Sequence, residues 1–78
     1  PIELPRRIIR RFSKVSDIIF DPFLGSGSTI VAAILENRNS CGYELNKDYK
    51  KIISLQIEKA IKENKSTNNL KHKVSYLY

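Results

Sequence analysis

Between Asp21 and Thr29 the chain reads DPFLGSGST, an acid and a proline followed by two glycines that bracket a serine. A second acid, Glu44, stands 19 residues beyond Gly25 and closes the short run SCGYE. Glycine admits backbone conformations closed to other residues, so a loop built on it can bend tightly and turn its amides toward a polar ligand. A carboxylate accepts hydrogen bonds from paired hydroxyls or attracts a cation. The same composition also makes an ordinary turn, and a glutamate before a helix is commonly just solvated.

Three loop chemistries compete. A phosphate-binding loop needs G-x-x-x-x-G-K-S/T, because its lysine neutralises the terminal phosphates. Here Ser28, Thr29 and Ile30 follow Gly27 and no lysine is present, which argues against nucleoside triphosphate hydrolysis. A dinucleotide loop wants G-x-G-x-x-G with a third glycine under the pyrophosphate. Gly25 and Gly27 fit its first two positions, but Ile30 takes the third. The remaining option is an adenosyl ligand without a pyrophosphate. An acid closing the next strand would take both ribose hydroxyls, and the 19-residue spacing to Glu44 is close to the roughly 20 residues of one strand–helix–strand unit. Asp21 beside the loop disfavours phosphate and favours a cationic group. S-adenosylmethionine carries a sulfonium, an ammonium and a ribose diol, and fits each of these demands.

The elements that must position these residues are legible from their spacing. Leu4, Ile8, Ile9 and Phe12 recur at helical intervals with arginines opposite, giving a helix over 4–14 with Pro5 in its first turn. DIIF (17–20) is a short apolar run suited to a strand buried on both faces. STIVAAILENR (28–38) reads as a helix with Ser28 as N-cap and small Ala32 and Ala33 for close packing on a sheet. SCGYE (40–44) reads as a second strand. Tyr49, Ile52, Ile53, Gln56, Ile57, Ala60 and Ile61 form the apolar stripe of a helix over 46–63, with Asn46 at its N-cap. NKSTNN is a polar loop, and KVSYLY suits a third strand or a frayed tail. Alternating helices and strands in this order indicate a parallel α/β sheet with right-handed crossovers. The carboxyl ends of the first two strands then lie side by side, where open α/β sheets bind ligands.

At these residues the chain resembles the carboxyl-terminal part of the amino-group DNA methyltransferases, in the permuted class whose cofactor half follows the catalytic half. The likeness runs from Pro1 to Tyr49, about two thirds of the chain. Pro1, Leu4, Ile9 and Ser13 match its leading helix, and Asp21 through Thr29 match its D-P-F-x-G-S-G-S/T-T loop. Ala32, Ala33 and Arg38 match the following helix and its exit, and Gly42, Glu44 and Tyr49 match the second strand and the residues beyond it. The resemblance implies a partial Rossmann-like methyltransferase fold, helix then β-α-β-α, that binds S-adenosylmethionine. It implies that Asp21 and Phe23 flank the methionine part, that Gly25, Ser26 and Gly27 present amides, and that Thr29 lies near the helix start. Glu44 would hold the ribose, and Leu45 would pack near the adenine. The family's catalytic D/N/S-P-P-Y/F/W loop has no counterpart here. The chain therefore reads as a single cofactor-binding segment of a larger domain, with a leading helix (1–15), a core (16–63) and a terminal loop and strand (64–78). Upstream catalytic and target-recognition segments would complete an enzyme acting on double-stranded DNA, and the segment alone would be inactive.

Composition sets the frame. A chain of 78 residues holds one small domain, which buries only about 60% of its unfolded surface. One cysteine excludes an internal disulfide, one histidine excludes a histidine pair, and no cluster has metal-ligand spacing. The free thiol suits a reducing cytoplasm, and no apolar run approaches the roughly 20 residues of a membrane helix. A net charge of +6 suits a polyanionic partner or solvated lysine-rich faces. The runner-up is thus a non-catalytic basic α/β module that binds nucleic acid or protein. Of the other residues, Cys41 is expected as a buried filler, Tyr49 as core, His72 as a partnerless surface residue, and the arginines at 6–11 as a solvated face. With sheet neighbours absent, weak stability or association with a partner, a second copy included, is expected.

Overall fold

The computed structural model describes residues 2–25, 27–64 and 70–77. Pro1, Ser26, the 65–69 portion of the expected polar loop and Tyr78 lie outside the described residues. The chain order is α1 (Glu3–Phe12), β1 (Ile18–Asp21), α2 (Ser28–Leu35), β2 (Asn39–Glu44), a 3-10 turn (Lys47–Tyr49), α3 (Lys50–Glu63) and β3 (His72–Tyr76). The three strands form one parallel sheet in the order β1-β2-β3. The terminal segment is a true strand, and the α/β parallel architecture is as the sequence pattern implies.

The helices cover one face of this sheet. Ile30 and Ile34 of α2 meet Ile53 and Ala60 of α3, with Ile57, Val74 and Tyr76 packed around them. Ile30, Ile34 and Ile53 are fully enclosed, each burial stabilising by about 1.5–3 kcal/mol. A second cluster joins Ile9 of α1 to Ala32 and Ala33 of α2, the close approach that two methyl side chains allow.

Several local expectations are corrected. β1 is not enclosed on both sides, because the helices lie on one face only: Ile18 and Phe20 are exposed, and Phe20 meets Tyr43 edge-to-face at 5.5 Å. Of the apolar ridge on α1 only Ile9 is buried, while Leu4, Ile8 and Phe12 face outward. Ion pairs accompany this orientation: Arg6 and Arg10 each reach Glu36 at 2.6 Å and Arg7 lies 3.5 Å from Glu3, so three of the four arginines of the supposed solvated face are engaged. Ser28 is the first helical residue rather than the cap. The capping position is Gly27, whose φ of 89° closes the preceding loop. Asn46 caps the 3-10 turn, its side chain accepting from the Asp48 amide at 2.9 Å, and α3 begins only at Lys50. That turn carries Tyr49 off the buried stripe and leaves it partly exposed, and Ile52 and Ile61 are also exposed. Cys41 is half-buried on the uncovered face of the sheet.

His72 is neither partnerless nor superficial. It is half-buried, and its Nδ1 lies 2.7 Å from the hydroxyl of buried Ser40 on the neighbouring strand. Burial holds the imidazole pKa below its ordinary value, so the unfolded chain takes up a proton before the folded one does. Stability is therefore expected to fall as the pH drops below about 6.5. Comparing chemical unfolding at pH 7.5 and 5.5 checks this, and His72→Gln is expected to flatten that part of the profile.

Candidate functional site

The loop after β1 is held at the carboxyl end of the sheet by a chain of backbone contacts. Asp21 ends β1 and pairs with Gly42 in the ladder. Its Oδ1 accepts from the Phe23 amide at 2.9 Å, which turns the chain at Pro22. The Leu24 amide then donates to the Tyr43 carbonyl at 3.1 Å, laying the loop against β2, and the Gly27 amide returns to the Leu24 carbonyl at 2.8 Å. Gly25 and Gly27 adopt φ of 54° and 89°, conformations that cost other residues strain. A side chain at Gly25 would meet nothing within 4 Å, so the loop presents its backbone to open space there.

Glu44 joins the loop to the second strand. Its Oε1 accepts from the Gly25 amide and its Oε2 from the Asn46 amide, each at 2.7 Å. The carboxylate is buried, at 7% exposure, which excludes the reading of an ordinary solvated glutamate. Two short charge-assisted bonds hold the group in one orientation. Each oxygen keeps a second lone pair after accepting one N–H, so a vicinal diol can still be received. The two points thus share one sheet edge and are in direct contact. The residues present fit an adenosyl group: an open glycine backbone, an oriented carboxylate and a second acid nearby.

The remaining expected residues are distributed around this centre. Asp21 is half-buried at the strand end, while Phe23 in the loop and Leu45 just after Glu44 are exposed. Thr29, in the first turn of α2, lines a different space, an apolar cleft of about 270 Å³ formed with Leu4, Pro5, Ile8, Ile9 and Ile19. Ser26 lies outside the described residues. Among the described residues no group of three or more histidine, cysteine or acidic side chains could hold a metal ion. Nor is any helix among them long and apolar enough to cross a membrane.

Two structural supports escape a search for chemistry-bearing residues. Leu24 is buried at 5% exposure inside an otherwise polar loop and belongs to the main core. An apolar residue among glycines, proline and serine is the available signal for such an anchor. Arg38 is buried and ties α1 to the start of β2. It donates to the Ser13 hydroxyl at 3.0 Å and to the Ser13 and Glu36 carbonyls at 2.8 and 2.5 Å. The two Ser13 acceptors close the carboxyl end of α1 and the Glu36 carbonyl closes that of α2, so one guanidinium ties both helix ends, which explains why a serine and an arginine occupy positions 13 and 38.

Known proteins resemble this chain in sequence and fold. Residues 1–55 match the family model for DNA methylases. The Type II methyltransferase M.MjaI of Methanocaldococcus jannaschii is 54% identical over 57 residues, 73% of this chain and 19% of that protein. M.MthZI of Methanothermobacter thermautotrophicus is 44% identical over 62 residues, 80% of this chain and 18% of that one. TTHA0409 of Thermus thermophilus, solved in complex with S-adenosyl-L-methionine, superposes over the whole chain with a TM-score of 0.76 at 29% identity. The present chain spans 29% of it. With more than half of its residues matched to that model, the chain belongs to the DNA methylase family.

Proposed function

We propose that the chain is the S-adenosylmethionine-binding segment of a DNA methyltransferase that modifies the exocyclic amino group of adenine (N6) or cytosine (N4). The contact between the Gly25 amide and the Glu44 carboxylate at adjoining strand ends carries this reading. When bound, the cofactor supplies a methyl group on sulfur, open to in-line attack by the amino nitrogen. Glu44 receives the ribose hydroxyls. Contrary to the expectation of free loop amides, the Gly25 amide is spent on Glu44 and the Gly27 amide on the Leu24 carbonyl, so these glycines serve by the bend and the open backbone they give the loop. Asp21 faces the cationic methionine end, with Phe23 beside it, Thr29 supports the helix start, and Leu45 lies against the adenine. No residue of this chain takes a catalytic proton; its share of the reaction is orientation and exclusion of water. The base pocket and the recognition of double-stranded DNA belong to further segments of a larger domain, and the segment by itself is inactive. The bare sheet face and outward α1 ridge are consistent with such segments, or a second copy, packing there.

Calorimetric titration of the 78-residue chain with S-adenosylmethionine tests the reading. Saturable one-to-one binding, competed by S-adenosylhomocysteine and little changed by salt, is expected. Salt-sensitive affinity for DNA without any saturable cofactor site would instead make the chain a basic binding module.

A further inference from the structure

Gly42 is the residue of β2 that faces Leu24. A methyl group placed on it would lie 2.4 Å from Leu24 Cδ2, 2.7 Å from Leu24 Cγ and 2.8 Å from the Asp21 carbonyl oxygen. None of these is a tolerable separation, and two of the three belong to one side chain. A glycine inside a strand marks a place where something approaches the backbone closely. Here the approaching group is the anchor of the glycine loop. Leu24 is one residue before Gly25, and Gly42 is two residues before Glu44, so this contact sits directly behind the clasp. We propose that Leu24 and Gly42 are a positioning pair: the bare Cα of Gly42 receives the Leu24 side chain, and that seat sets the height at which Gly25 meets Glu44.

The geometry leaves little freedom for another arrangement. The Leu24 amide is bonded to the Tyr43 carbonyl, so the loop backbone is already drawn onto β2 at the next residue. The Leu24 side chain belongs to the same buried core cluster as Ile30, Ile34 and Ile53. A methyl at position 42 forces both the Leu24 side chain and the Asp21 carbonyl to give way, and displacing Leu24 carries Gly25 away from the carboxylate. Neither residue touches the ligand in this account; both act through the amide and the carboxylate. The effect on cofactor affinity rests on the reading proposed above, whereas the effect on the Gly25 amide does not.

Amide hydrogen exchange on the cofactor-free chain, resolved by 1H–15N spectra, tests the pair. In Gly42→Ala the Gly25 amide is expected to exchange about ten-fold faster or more, with the Ala33 and Ile34 amides of α2 changed by less than about two-fold. In a Leu24→Ala background the same substitution is expected to change Gly25 by less than about three-fold, the Asp21 carbonyl supplying the residual effect. Equal effects in both backgrounds, or an unmoved Gly25 in Gly42→Ala, would overturn the pair. Should Gly42→Ala fail to fold, Leu24→Ala alone decides. Selective loss of Gly25 protection supports the pair, and a loss no greater than that of α2 refutes it. Cofactor titration of the same variants separates the two ideas. If the amide responds as expected while even the unsubstituted chain binds no S-adenosylmethionine, the cofactor reading falls and the positioning pair stands.

Discussion

Replacing Glu44 with glutamine is expected to lower stability by about 2–4 kcal/mol and cofactor affinity by on the order of 100-fold. The reason lies in the donors that surround the carboxylate. Gly25 and Asn46 both present N–H groups at 2.7 Å, one to each oxygen. A glutamine offers one oxygen, so its NH2 must face one of those donors at the same distance. The carboxylate position is buried, leaving little water to relieve the mismatch. Either the Gly25 bond or the Asn46 bond is lost, and the loop or the following turn is released. Glu44→Asp keeps the charge but is shorter by one methylene, so it cannot reach both amides at once and is expected to fall between the two. Thermal unfolding followed by circular dichroism, with calorimetric titration at a temperature where each variant is folded, measures both effects.

Loss of the Arg38 side chain is the second large effect. Arg38→Ala is expected to cost about 2–4 kcal/mol, enough to unfold much of a chain this small near its melting range. The guanidinium donates to the Ser13 hydroxyl and to the carbonyls of Ser13 and Glu36. Its removal leaves these acceptors without their donor and opens the space it filled. The damage should be graded along the chain. Amides of α1 are expected to exchange fastest, since Ile9 and the Glu36 ion pairs are then the main remaining ties of that helix. Arg38→Lys is not expected to rescue, because a single ammonium cannot span three acceptors arranged for a planar fork. Denaturant unfolding monitored by residue-level exchange checks both the size and the order of the loss.

The parts of this molecule that spacing alone reveals are those governed by a local rule. An apolar run followed by glycines, and an acid one crossover later, had to bring Asp21 and Glu44 to one edge once the sheet was parallel. The direct contact between the glycine loop and Glu44 follows that geometry. The family's pattern marked Gly42 and Arg38 without saying what they do, because their roles depend on distant partners: Leu24 over one, and the end of α1 under the other. The helical stripe of α1 predicts a buried face, yet it cannot say which flank the chain's own charges will draw inward. Here Glu36 engages Arg6 and Arg10. Tyr49 illustrates the converse limit. Periodicity extends through it, but the Asn46 cap starts a 3-10 turn and shifts its phase against α3. β1 looked enclosed because its residues are apolar, whereas exposure depends on what packs against the second face.

The most direct test of the whole account is a map of amide shifts while S-adenosylmethionine is added to the chain. If the glycine loop and the Glu44 carboxylate form one nucleoside cradle, the changes gather at 21–29 and 44–47 and saturate together with a single dissociation constant. Saturating changes confined to the arginine flank of α1 or to the bare face carrying Phe20 and Tyr43, with Gly25 and Asn46 unmoved, would contradict it.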